Sequence, residues 1–208
     1  METSITKIYF VRHAKSEANH AKKYTGWLDT DLSNDGIAQA EKGQRYFADI
    51  SVDNIYSSPL KRAYKTAKIV FGDTAVIKKM DDFKELNVGL FEMKTYEEVL
   101  SEYPEILRKW IDDPTTATPP EGENLYDFYK RVTTGFVKVV NENIGKTAVI
   151  VTHGGVIRSL ILYALNMKLN DIWRIKVNNM SVSIIELMGG NKTLALLNDT
   201  CHLDEETL

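Results

Sequence analysis

Ile8-Tyr9-Phe10-Val11-Arg12-His13-Ala14 begins as an unbroken apolar run and ends abruptly in arginine and histidine. A short continuous apolar stretch of this kind fits a strand buried on both faces. The polar end then places an imidazole at the strand's carboxyl terminus. In open α/β sheets the crevice beyond those termini is where ligands bind, so His13 beside the Arg12 guanidinium points to an anion, and to phosphate first.

The pattern returns far along the chain. Thr147 to Thr152 is β-branched and apolar throughout and ends in His153-Gly154-Gly155. In a parallel sheet both strands open on the same edge, so the two imidazoles are expected to converge. A single histidine is most often a structural hydrogen-bonder. Two of them at strand ends, with Arg12 adjacent and Arg62 near another strand end, outweigh that reading.

The intervening segments supply the scaffold. Ser33 offers an N-cap to a helix from about Asn34 to Ala48, with Ile37, Ala40, Phe47 and Ile50 near one face. Val52 to Ser57 reads as a second strand. Ser58-Pro59 then reads as a cap and a first helical proline for a helix over Leu60 to Val70. Ala75 to Lys78 is a further candidate strand. The polar stretch from His20 to Thr30 reads as a loop with a short helical turn, and Asp81 to Glu92 has no clean period. Thr95-Tyr96-Glu97-Glu98 has capping-box spacing, a short helix ends at Pro104, and a second runs to Ile111. Asp113 to Pro120 forms a loop. Glu123 to Asn143 is a long amphipathic helix with Leu125, Phe128, Val132, Phe136 and Val139 on one stripe. After a helix over Val156 to Leu165, two runs around Gly189-Gly190-Asn191 form a hairpin. From Asp199 the tail is acidic and lacks a core pattern.

Composition limits the function classes. The 208 residues are 43% hydrophobic, enough for one substantial core. A formal net charge of −3 gives no electrostatic reason to expect nucleic acid. No apolar run approaches the roughly 18 residues of a membrane span, and no signal-peptide core is present. Cys201 is the only cysteine, which excludes an intrachain disulfide and suits a reducing, cytoplasmic setting.

Several ordered motifs carry a family resemblance. Val11-Arg12-His13-Ala14-Lys15-Ser16-Glu17-Ala18-Asn19 resembles the signature of the histidine phosphatase superfamily, which includes cofactor-dependent phosphoglycerate mutases. Thr25-Gly26-Trp27, Asp31-Leu32-Ser33 with Gly36, and Ser57-Ser58-Pro59-Leu60-Lys61-Arg62-Ala63 with Thr66-Ala67 continue it in order. So do Glu85-Leu86-Asn87-Val88-Gly89 with Glu92, Gly122-Glu123 with Arg131, and Thr152-His153-Gly154-Gly155. The resemblance spans nearly the whole chain. The expected architecture is one domain over 1–208: an α/β, three-layer αβα sandwich with a mostly parallel central sheet and an antiparallel edge strand. A helical lid over the carboxyl edge of the sheet is expected around residues 81–121.

By resemblance, His13 attacks phosphorus in line and forms a phosphohistidine that water hydrolyses, which splits one difficult step into two. Arg12, Arg62 and a protonated His153 are the implied phosphate clamp, and Glu85 the implied proton donor to the leaving oxygen. Ser16, Asn19, Thr25, Gly26 and Gly154 match positions lining the phosphate, with Asn19 as a donor. To attack, His13 must be neutral at its nucleophilic nitrogen, so its other ring nitrogen needs a partner, expected to be a backbone carbonyl. Glu17, Asp31 and Glu92 are weaker candidates that read as structural, and Lys15, Lys22 and Lys23 read either as cations that draw anions inward or as a solvated charged loop. Ala14 and Met93 stand where the family pattern usually has glycine.

The resemblance implies a cofactor-independent, metal-independent phosphomonoesterase of the histidine acid phosphatase type, acting on a small organic phosphate ester. No metal site with ligand spacing is seen in the sequence. The alternative is a 2,3-bisphosphoglycerate-dependent phosphoglycerate mutase. Mutases carry a longer, basic and aromatic segment after the acid; here Val88 to Glu98 is short and more acidic. A non-catalytic phospholigand-binding module is a further alternative, against which the joint presence of His13, Arg12, Arg62, Glu85 and His153 argues. A monomer or a homodimer is expected, with no nucleic-acid or membrane partner.

Overall fold

The computed structural model describes residues 4–203, so the end of the acidic tail, 204–208, lies outside the described residues. One six-stranded sheet organises the chain, in the order β3-β2-β4-β1-β5-β6. Its strands are β1 (Thr6–Arg12), β2 (Asn54–Ser57), β3 (Ile77–Lys79), β4 (Thr147–Thr152), β5 (Val182–Met188) and β6 (Asn191–Asp199). The first four run parallel. β5 runs against β1, and the outermost strand, β6, returns as a hairpin. Gly189 and Gly190 both have positive φ, +56° and +87°, as the tightest hairpin turns require.

Alternation along the central strands sorts side chains into two cores. Ile8, Phe10, Ala148 and Ile150 pack beneath α6 (Leu125–Glu142) and α7 (Gly154–Ala164). Tyr9, Val11, Val149 and Val151 face the other way, toward α2 (Asn34–Phe47) and α3 (Lys61–Phe71). That is the expected three-layer arrangement. The tail expected to lack a core pattern nonetheless buries Leu203 in the second cluster. Among the described residues, no helix is long and apolar enough to cross a membrane.

Register sets the site. Arg12 lies opposite Thr152 across the β1–β4 pair, and His13 N–H donates to Thr152 O at 2.8 Å. The two histidines that follow these strands therefore leave the sheet level with each other. The segment between β3 and α6 contains two 3₁₀ turns (Asp81–Phe83 and Gly89–Phe91) and the helices α4 (Tyr96–Glu102) and α5 (Pro104–Asp112). Phe83, Phe91, Val99, Leu107 and Trp110 anchor it to the cluster under α6 and α7. The Thr95/Glu98 capping box forms as the spacing predicts.

Two local expectations are corrected. Ser58 does not cap α3: Leu60, with an extended backbone, is the N-cap, and the Lys61 amide donates instead to the Asp29 carboxylate at 2.6 Å. A distant acid has taken over the capping, which sequence spacing cannot reveal. A four-residue helix, α1 (Glu17–His20), also forms where only a loop with a turn further on was expected, closed by a Ser16/Asn19 capping box.

The two glycine substitutions differ in consequence. Ala14 does not adopt a positive φ; it is fully buried and donates its N–H to Thr66 Oγ1 at 3.1 Å. Met93 does, at +60°, a conformation costing a non-glycine residue roughly 1–2 kcal/mol. Its N–H to Tyr24 O hydrogen bond, 2.9 Å, helps hold it there.

Candidate active site

His13 is 4% exposed, and its Nδ1 lies 2.8 Å from Ala14 O. A carbonyl oxygen only accepts, so Nδ1 carries the proton and the Nε2 lone pair is left available, as the expectation of a backbone partner required. Burial, followed by the charges of Arg62 and Arg12, holds this imidazole well below its ordinary pKa of 6.5. Both effects favour the neutral ring.

Arg12 and Arg62 are held by backbone carbonyls. Arg12 Nη1 donates to Val177 O at 2.7 Å, while its buried Nε has no partner. Burial, then Arg158, lowers its pKa to about 10, which still leaves it charged at neutral pH. Arg62 is 1% exposed, with Nη2 donating to Gly26 O at 2.7 Å and Nη1 to Leu28 O at 3.0 Å. Burying a guanidinium is costly unless its donors are matched. The 26–28 loop that matches them is itself tied to Glu92, whose carboxylate accepts from the amides of Gly26, Trp27 and Leu28. Glu92 is structural in this sense: one carboxylate shapes the loop that positions the arginine.

His153 is fully buried, with its ring centroid 5.1 Å from that of His13. Its Nε2 is 2.7 Å from Ser58 Oγ, and its Nδ1 is buried without a partner. Burial, then the Arg62 and Arg12 charges, pushes its pKa well below the ordinary value, which favours the neutral ring over the protonated one that the resemblance implies.

Glu85 sits at the N-terminus of α7. Its Oε2 accepts from Gly155 N–H at 3.1 Å and its Oε1 from Leu86 N–H at 2.9 Å. Arg131 braces the segment, donating to the carbonyls of Asp82, Lys84 and Glu85 while paired to Glu123 at 2.7 Å. A Cβ at Gly155 would lie 2.3 Å from Glu85 Oε1, a contact that must displace the carboxylate. Gly155→Ala is therefore expected to lower kcat roughly 10- to 100-fold with little change in fold, measured as phosphate release beside a circular-dichroism spectrum.

The remaining expected residues divide by the partners they already have. Asn19 Oδ1 accepts from Ser16 N–H, Ser16 Oγ and Asn179 Nδ2, so the amide's NH₂ end is what a ligand can be offered. The Ser16 hydroxyl and both backbone groups of Gly26 are engaged within the protein, where they position Asn19 and Arg62. Thr25 lines a cavity of about 350 Å³ with Glu85 and Gly155. Gly154 begins α7, and a Cβ there would be 3.4 Å from Arg12 Nε and 3.3 Å from Arg158 Nη1. Asp31 pairs with Lys65 and Lys15 with Asp35, both on the surface.

The sequence reading missed two polar residues of the site, Arg158 and Asn179. Arg158 enters the cavity one helical turn after Gly154, a spacing that could have revealed it. Its Nε donates to Ile175 O, and its guanidinium lies 5.7 Å from the Trp173 ring centre. Trp110 and Trp173 meet edge to face at 5.2 Å and form the apolar wall with Ile111 and Ile172. Asn179 donates to His13 O. None of these aromatic or amide contacts has a local sequence signal.

A family model described as the histidine phosphatase superfamily (branch 1) matches residues 8–200. Phosphoserine phosphatase 1 of Hydrogenobacter thermophilus is 35% identical over 202 residues, covering 97% of this chain and 96% of that protein. Among solved structures, Bacillus stearothermophilus YhfR superposes with a TM-score of 0.90 at 28% identity, covering 95% of this chain and 99% of that one. A phosphoserine phosphatase from Entamoeba histolytica, solved with phosphoserine, gives a TM-score of 0.86 at 27% identity, covering 95% and 98%.

Proposed function

Because this chain belongs to the histidine phosphatase superfamily, we propose that it cleaves small organic phosphomonoesters by way of a phosphohistidine on His13. It is a phosphoric monoester hydrolase. The observation that carries the proposed mechanism is the company of the unprotonated His13 Nε2: the unpartnered, buried Arg12 Nε and His153 Nδ1. Buried polar atoms without partners are rare in folded proteins, and here two of them belong to residues beside the nucleophile: Arg12 precedes it in the chain, and the His153 ring centre lies 5.1 Å from that of His13.

The steps follow from these atoms. The Nε2 lone pair forms the P–N bond as the ester P–O bond breaks, and the Glu85 carboxyl group gives its proton to the departing oxygen. The guanidinia of Arg12 and Arg62 neutralise charge on the phosphoryl oxygens, and the N-terminal end of α7 adds to that field. The resulting Glu85 carboxylate then takes a proton from the water that attacks the phosphohistidine. This returns His13 and Glu85 to their starting states.

The cavity beside Glu85 receives the organic part of the ester. Its walls are mainly apolar, and Arg158 is available to a carboxylate or a second anionic group on the substrate. Relatives named phosphoserine phosphatase fit a substrate of that size and charge. We read the reaction as cytoplasmic, in keeping with a single cysteine.

A substrate panel tests this reading. Phosphate release is expected from p-nitrophenyl phosphate and from small carboxylate-bearing phosphomonoesters, and is expected to persist in EDTA because arginines supply the positive charge. Interconversion of 3-phosphoglycerate stimulated by 2,3-bisphosphoglycerate, without net phosphate release, would replace the hydrolase by a mutase.

A further inference from the structure

We propose that Ser58 is a positioning residue: its hydroxyl donates to His153 Nε2, keeps the ring proton on Nδ1, and makes an uncharged His153 a hydrogen-bond donor to the phosphoryl group. The inference rests on the phosphate seat proposed above. It removes the need for two neighbouring histidines in opposite charge states.

Ser58 is held from two sides. Its N–H donates to Val151 O at 3.0 Å, fixing the residue where β2 leaves the sheet beside β4, and its Oγ accepts from Leu60 N–H at 3.3 Å. Both Ser58 and His153 are fully buried, and Oγ lies 2.7 Å from Nε2. Two proton arrangements fit that distance. If Nε2–H donated to the serine, Oγ would accept two N–H groups while its own proton lay buried without an acceptor. Nδ1 would then present a bare lone pair to phosphoryl oxygens that also carry lone pairs. If the serine hydroxyl donates instead, Oγ accepts from Leu60, gives its proton to Nε2, and leaves Nδ1–H as the unpartnered buried donor. Each polar atom then has a use once phosphate is bound.

Charge supports the same assignment. The groups facing His153 are Arg62, Arg12 and Arg131 beside the neutral His13, and each guanidinium disfavours a second proton on the ring. A neutral donor avoids that conflict. Ser58 is free for the task because α3 is capped from elsewhere, by Asp29 at Lys61. The arrangement mirrors His13, where Ala14 O also holds the proton on Nδ1. Both rings are thereby Nδ1–H tautomers: one turns its Nε2 lone pair to phosphorus, the other its N–H to an oxygen.

The test is ¹⁵N NMR of histidine-labelled protein, assigned by single replacement of the four histidines. His153 is expected to show protonated Nδ1 and unprotonated Nε2 in the free protein, and to keep that state with inorganic phosphate bound. An Nε2–H tautomer in the free protein, or an imidazolium with phosphate, overturns the proposal. A correct tautomer that phosphate fails to perturb overturns the phosphate seat, and with it the donor role. In Ser58→Ala, kcat/KM for p-nitrophenyl phosphate is expected to fall about 10- to 100-fold. Residual activity should rise toward acid pH, since without the serine the imidazolium is the form that donates reliably from Nδ1, and Ser58→Thr should restore both rate and profile. An unchanged rate and pH profile in folded Ser58→Ala overturns the proposal; if that variant does not fold, the wild-type spectra decide alone.

Discussion

Replacing His13 by alanine is expected to lower p-nitrophenyl phosphate turnover by about 10⁴-fold or more, because a covalent pathway loses its nucleophile while the arginines remain. The measurement is initial-rate phosphate release, with a thermal melt to show that the fold persists. Near-normal turnover would remove His13 from its proposed role. A pH signature accompanies the loss. Since burial and the neighbouring arginines keep His13 uncharged well below 6.5, kcat/KM of the parent protein should show no acid limb near that pH from this group. The same depression couples to stability. The unfolded chain protonates this imidazole as pH falls through about 6.5 while the folded chain does not, so its contribution is complete above that value and is lost toward the folded-state pKa. His13→Ala should therefore weaken the fall of Tm with acidification.

Glu85→Gln is expected to slow hydrolysis of an alkyl phosphate by about 10²- to 10⁴-fold, while p-nitrophenyl phosphate loses far less. The difference follows from the leaving group. An alkoxide needs a proton as the P–O bond breaks, whereas p-nitrophenolate departs without one. Glutamine keeps the volume and one of the two carboxylate acceptors that meet the Leu86 and Gly155 amides, but it has no proton to transfer. Equal losses on both substrates would mean that Glu85 acts through position or charge rather than as an acid.

The legibility of this site in the sequence follows the distance over which each signal acts. Strand ends are local: an apolar run that stops at Arg12-His13 and another that stops at Thr152-His153 announce their places, and β1–β4 register brings them level. Helix stripes such as Leu125 to Val139 are equally local, since one face of α6 must be buried. Family resemblance alone selects Glu85, because the residues that locate it, Arg131 and Gly155, act from other elements. Asp29 taking the cap of α3, and Ser58 turning to His153, are exchanges between partners far apart in sequence. The charge of His153 depended on how many cations would crowd a buried ring, which requires coordinates rather than composition.

The edge-to-face pair of Trp110 and Trp173 lies outside the strands, in α5 and in the 3₁₀ turn from Leu169 to Arg174. The proposed chemistry is carried by residues at the ends of β1 and β4, in α3 and beside α7. The proposed selectivity wall and the proposed chemistry thus come largely from different parts of the chain and meet at Glu85 and Gly155. Replacing the tryptophan wall is therefore expected to change which esters are accepted while the residues proposed for phosphoryl transfer stay in place.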